Sequence, residues 1–212
     1  GAASLSPQCV LEESGLPYEF IEVDISEDTE RDPEYLKLNP HGRIPTLVFE
    51  DQVMIESAAI SIYLADKHSH TQLSPSLDQP ERSRYLQWMV YLTNTLQETL
   101  LLKMYSSLYT DDPQGYDATI SRATSKLDTI MSFVEKSLED TEGPFFLGNK
   151  LTTADIYLNM LTGWDPAIQV RILSSSTTAD IPENQRYTNV ERNYVEMLKR
   201  PGIAKIFSAN GY

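Results

Sequence analysis

The 212 residues are 41% hydrophobic and 23% charged, an ordinary soluble globular balance with room for one large domain or two small ones. The formal charge is -14 and uneven, residues 1–75 holding four basic and fourteen acidic side chains, so clustered Lys and Arg for nucleic acid or an anionic membrane are lacking. No apolar run is long enough for a membrane span, and the single cysteine, Cys9, excludes an internal disulfide framework and suits the cytoplasm.

In chain order, Ser6-Pro7 reads as a cap followed by proline at the first helical position, and Gly15 as a stop, predicting a helix over residues 7–14. Tyr18 to Ile25 alternates as a strand. Asp32 to Leu38 reads as a short helix, Thr46 to Phe49 and Val53 to Ile55 as an antiparallel hairpin, and Ser57 to Lys67 as a helix. Residues 71–80, rich in Ser, Pro and Asp, read as a linker. Beyond it the pattern is helical: Glu81 to about Tyr109, Tyr116 to about Leu138, Thr152 to about Leu161, and Asn189 to Lys199. In the first of these, Tyr85, Trp88, Met89, Leu92, Leu96, Thr99 and Leu100 share a stripe at helical spacing, the signature of core packing. Thr152-Thr153-Ala154-Asp155 reads as a capping box with Leu151 and Ile156 as its staple. Arg171 to Gln185 has no apolar period and reads as an exposed loop.

The chemistry concentrates in two short pieces. In Asn39-Pro40-His41-Gly42-Arg43-Ile44-Pro45 a turn enters a strand through Ile-Pro, a bond that can be cis and can leave the Ile44 backbone free for an extended ligand. In Glu56-Ser57 an acid and a good N-cap open a helix, so that a carboxylate can sit on the helix amides and an ammonium on Glu56. Together they suit a free amino acid head group. Cys9, at about the third helical position, reads as a half-buried helix cysteine.

Asn-Pro-x-Gly-x-Ile-Pro, Glu-Ser-x-Ala-Ile and Thr152-Thr153-Ala154-Asp155, in this order, resemble the glutathione transferase superfamily. The opening residues, with Leu11-Glu12-Glu13-Ser14-Gly15-Leu16-Pro17-Tyr18, resemble its bacterial beta-class branch, with Ala3 where that branch carries cysteine. The resemblance implies an α/β thioredoxin-like N-terminal domain over residues 1–70, the linker, and an all-α C-terminal domain over 81–212, with a further strand upstream of Gly1. It implies a transferase that activates the thiol of its co-substrate glutathione for attack on a small apolar electrophile, as in detoxification, with no metal. Ile44, Pro45, Glu56, Ser57 and Arg43 would bind glutathione; His41 and Arg43 either reach its glycine carboxylate or are solvated turn residues. With Ser6 as the helix cap and Ala3 unable to form a mixed disulfide, Ser4 is the expected thiolate-stabilising group. Tyr91, Tyr105, Tyr109 and Trp164 are candidate walls for the electrophile and equally good core residues. Where the beta class places polar and basic residues, including a histidine, on its first long helix, this chain has Gln97 and Glu98. A homodimer is implied. The alternatives are a non-catalytic interaction or stress-regulatory module of the same fold, and a specialised glutathione-dependent ether-cleaving enzyme or isomerase.

Overall fold

Helix α1 (Leu5–Ser14) of the computed structural model, which describes residues 2–26, 30–173 and 181–212, begins two residues before the predicted start. Ser6 is therefore not the cap. It is buried in the first turn and donates to the Ser61 hydroxyl at 2.9 Å, because the Ser61 proton is already engaged by the Ser57 carbonyl. The cap position falls to Ser4, which makes no side-chain capping bond, while Gly15 ends the helix at φ 69° as predicted.

The predicted strand at Tyr18 to Ile25 does not form. Strand geometry is sustained by a neighbour's amides and carbonyls, and no described segment pairs with these residues. Phe20 and Ile21 are consequently 53% and 71% exposed. Among the described residues the sheet is a single antiparallel hairpin, β1 (Thr46–Phe49) with β2 (Gln52–Ile55), in the register Thr46↔Ile55 to Phe49↔Gln52. It is flanked by α2 (Pro33–Leu38), capped by Asp32, and α3 (Ser57–Lys67), both close to their predicted bounds.

The remainder is helical. The expected rod from Glu81 is wound as α4 (Arg82–Tyr91), a π-helical segment Leu92–Gln97, and α5 (Glu98–Met104). All seven residues of the predicted stripe are buried. Next come α6 (Tyr116–Glu139), α7 (Thr153–Thr162), α8 (Pro166–Ile172), α9 (Thr188–Met197) and α10 (Pro201–Ala209). Helices α8 and α10 were not predicted; each is short and opens on proline. Arg171 thus belongs to a helix, Glu183–Gln185 form a 3-10 turn, and residues 174–180 of the predicted loop lie outside the described residues.

Helix α7 is buried along its whole length and anchors the core. Its capping box is present: the Thr152 amide and hydroxyl donate to Asp155 Oδ2 at 2.9 and 3.0 Å. Asp155 Oδ1 accepts from the Phe146 amide at 3.0 Å and Asn193 Nδ2 at 2.8 Å, tying α9 and the preceding loop to the same carboxyl. Burial pushes that carboxyl up to about 6 against these four donors. The result is a small α/β unit packed on an all-helical one through a shared cluster that includes Leu5, Cys9, Ile60, Leu64, Ile156 and Tyr157.

Candidate active site

The Ile-Pro loop is braced from below. Buried Asn39 donates from Nδ2 to the Arg43 carbonyl at 2.7 Å, and its own Oδ1 accepts from the His41 amide at 3.1 Å. The Tyr35 hydroxyl donates to the same Arg43 carbonyl at 2.6 Å. Gly42 is required on two counts: its φ is 60°, and a Cβ there would meet the Arg31 side chain at 2.9 Å. The Ile44–Pro45 peptide is cis, as the sequence allowed. Among the described residues the Ile44 N–H and C=O carry no hydrogen-bond partner, so a backbone donor and acceptor stand open at the head of β1.

The acidic corner follows β2. Glu56 adopts φ 73° and ψ 103°, a conformation costly for a residue with a side chain by about 1–3 kcal/mol. Its carbonyl accepts the Ile60 amide at 2.9 Å and so starts α3, while its side chain remains exposed. Ser57 was expected to cap this helix and does not. It is the first helical residue, and its hydroxyl donates to the Ala3 carbonyl at 2.5 Å. The amides of Ser57, Ala58 and Ala59 are left without partners among the described residues, at the positive end of the helix dipole.

The Ser57–Ala3 bond brings the start of α1 against the start of α3 and places Ser4 beside the corner. Ser4 is half-buried, and its hydroxyl has no partner among the described residues. Cys9 is fully buried, and burial pushes its thiol far up, so it remains an inert core residue.

The helical unit supplies the opposite side. Tyr157 on α7 lies close enough to Ser57 and Glu56 for both to influence its phenol, and it donates to Gln97 Oε1 at 2.6 Å. The Tyr109 hydroxyl donates to Glu98 at 2.7 Å, and the Arg43 charge reaches the same phenol, so these three residues share one rim. Tyr105 follows at the end of α5, 36% exposed. Tyr91 is not gathered there: it packs on Trp88 and Phe133 at 5.5 and 5.3 Å between ring centroids. Trp164 sits at the α7–α8 junction against the core. A cavity of about 870 Å³ lies elsewhere, lined by Asp66, Leu77, Lys150 and Arg200 and by none of the predicted site residues. Sequence reasoning missed Tyr157, Tyr35 and Asn39 as supports, because each acts through a contact across the fold.

Comparison with known proteins bears on the family of the chain. The model of the glutathione S-transferase N-terminal domain matches residues 1–66, and that of the C-terminal domain matches residues 99–209. The glutathione S-transferase GstA of Escherichia coli is 28% identical over 100% of this chain and 96% of its own. Glutathione S-transferase GST-4.5 of Xanthomonas campestris is 32% identical over 77% of this chain and 78% of its own. The solved ternary complex of BphK, a bacterial GST, superposes with a TM-score of 0.77 at 29% identity, covering 100% of this chain and 96% of that one. With both domain models matched in order along its length, the chain belongs to the glutathione S-transferase family of enzymes.

Proposed function

We propose that glutathione lies along the Ile44 edge with its head at the Glu56-Ser57 corner, and that Ser4 holds its thiolate for attack on a small apolar electrophile. A free thiol has a pKa of about 8.5, so only a few per cent is ionised at neutral pH. A hydroxyl donating to sulfur at the amino end of α1 stabilises the anion twice, by hydrogen bonding and through the helix dipole. The α-carboxylate of the γ-glutamyl group takes the free amides of α3, its ammonium takes Glu56, and the cysteinyl backbone pairs with Ile44. Arg43 stands by the glycine carboxylate. Tyr109, on the rim with Arg43, and Tyr105, at the end of α5, form the nearer part of the electrophile wall; Tyr91 and Trp164 lie outside it.

The observation that carries this reading is the juxtaposition of three unpartnered sets of polar groups: the Ile44 backbone, the first amides of α3, and the Ser4 hydroxyl. The domain division at 1–70, 71–80 and 81–212, a homodimer and a cytoplasmic setting belong to the same proposal; among the described residues no helix is long and apolar enough to cross a membrane. Calorimetry with glutathione, followed by turnover across a panel of carbon electrophiles, tests it. Saturable binding with turnover is the expected result. Binding without turnover would favour the non-catalytic module, and absence of binding at millimolar glutathione would overturn the proposal.

A further inference from the structure

We propose that Ser6 and Ser61 are positioning residues for thiolate formation: their hydroxyl pair fixes the start of α1 on the start of α3 and so sets where Ser4 stands against the free amides of α3. This rests on the glutathione reading above and gives a role to two fully buried residues that the reading leaves unused.

Two hydrogen bonds cross between these helix starts. The Ser57 hydroxyl donates to the Ala3 carbonyl, and about one turn further along both helices the Ser6 hydroxyl donates to Ser61 at 2.9 Å. A single bond is a pivot, whereas two bonds a turn apart fix both the separation and the rotation of one helix start on the other. Ser4 lies between the two anchored residues of α1, and the backbone around it is held in turn: the Leu5 amide donates to the Ala2 carbonyl at 3.0 Å and the Gln8 amide to the Ser4 carbonyl at 3.1 Å. A shift of Ser6 therefore carries Ser4 with it. The Ser61 hydroxyl donates to the Ser57 carbonyl at 2.9 Å, so the chain of hydroxyls ends on the residue that begins α3.

Packing alone would not select serine at these positions. Both are 0% exposed, in helices whose other buried residues include Leu5, Cys9, Ile60 and Leu64. A buried hydroxyl costs free energy unless it is paired, and what the pair adds over two alanines is direction. Of the titratable groups around the two helix starts, Cys9 and Tyr157 are pushed up by burial and Glu56 is exposed, while the ion pairs of α1 with Lys205 and Arg200 sit at its far end.

The test uses the full chain as wild type, Ser4→Ala, Ser6→Ala and the double variant Ser6→Ala with Ser61→Ala. The thiolate absorbance of bound glutathione is followed against pH, and binding of S-methylglutathione, which has no thiol to ionise, is measured by calorimetry. In Ser6→Ala the Ser61 hydroxyl keeps its acceptor and no buried donor is orphaned, so the fold is retained; in the double variant both partners are replaced together. The midpoint in Ser6→Ala is expected to rise by about half a unit, leaving about threefold less thiolate below it, with S-methylglutathione affinity within about twofold of wild type. The double variant should have the midpoint of Ser6→Ala, because the crossing bond is already lost. An unmoved midpoint in both variants overturns the proposal, and so does a loss of S-methylglutathione affinity of about tenfold or more, which would mean a site disrupted as a whole. If Ser4→Ala itself leaves the midpoint in place, the role of Ser4 falls and this proposal with it; a midpoint moved by Ser4→Ala and by neither of the others removes only this proposal.

Discussion

Glu56 holds a backbone conformation that glycine would adopt more easily, and it does so with an exposed carboxylate at the mouth of an uncapped helix. Strain of about 1–3 kcal/mol persists only where surrounding structure enforces it, here the β2 end and the α3 start. Replacing Glu56 by Ala preserves that backbone problem and removes only the charge; glutathione binding should weaken by about 2 kcal/mol or more, measured by calorimetry. A loss under a few tenths of a kcal/mol would separate Glu56 from the ligand's ammonium. Ser4 offers a second residue-level test. Without its hydroxyl the bound thiol returns toward its free pKa, so the pH midpoint of kcat in Ser4→Ala should move upward by about one unit while glutathione affinity is nearly unchanged. An unmoved pH profile would remove Ser4 from the mechanism. Both residues stood out in the sequence because an acid and hydroxyls beside helix starts are local signals. Tyr157 did not, since nothing within a helix of buried residues marks the one tyrosine whose hydroxyl crosses to another element.

Helix starts divide into those capped by their own neighbours and those capped from afar. The α7 box is of the first kind, and Thr152→Ala should cost about 1–2 kcal/mol in a urea unfolding curve, with loss of the hydroxyl bond to Asp155 while the backbone amide keeps its own. Helix α9 is of the second kind: Tyr187 stands at its cap, and the work falls to Glu135 on α6. Its two carboxylate oxygens accept the Asn189 amide at 2.8 Å and the Val190 amide at 3.0 Å. Glu135→Ala should therefore destabilise the protein by about 2 kcal/mol, the cost of two charge-assisted bonds, and an unchanged urea midpoint would refute the assignment. The same distinction explains which helix ends were legible. Gly15, Asp32 and the Thr152 box act within one turn of themselves, whereas Ser6 and Ser57 looked like caps and were drawn into contacts with Ser61 and Ala3.

Among the described residues, three ion pairs join the α/β unit to the helical one. Asp66 at the end of α3 receives both terminal nitrogens of Arg82 at 2.6 and 2.7 Å across the linker. Glu12 and Glu13 on α1 hold Lys205 and Arg200 at the α10 end of the chain. The two units also share one hydrophobic cluster. They should therefore unfold together: tryptophan fluorescence, which reports on Trp88 and Trp164 in the helical unit, and glutathione binding should be lost at the same urea concentration. Loss of binding well before the fluorescence change would show an α/β unit that melts alone. At this scale the amphipathic stripes, the turn glycines, the hairpin and the capping box were determined by the sequence itself, because each depends on neighbours within one or two turns. The failed strand at Tyr18 to Ile25, the true roles of Ser6 and Ser57, and the meeting of Tyr157 with Gln97 were decided only by tertiary structure. A strand exists through its partner, and a hydroxyl donates to whichever acceptor the packing brings nearest.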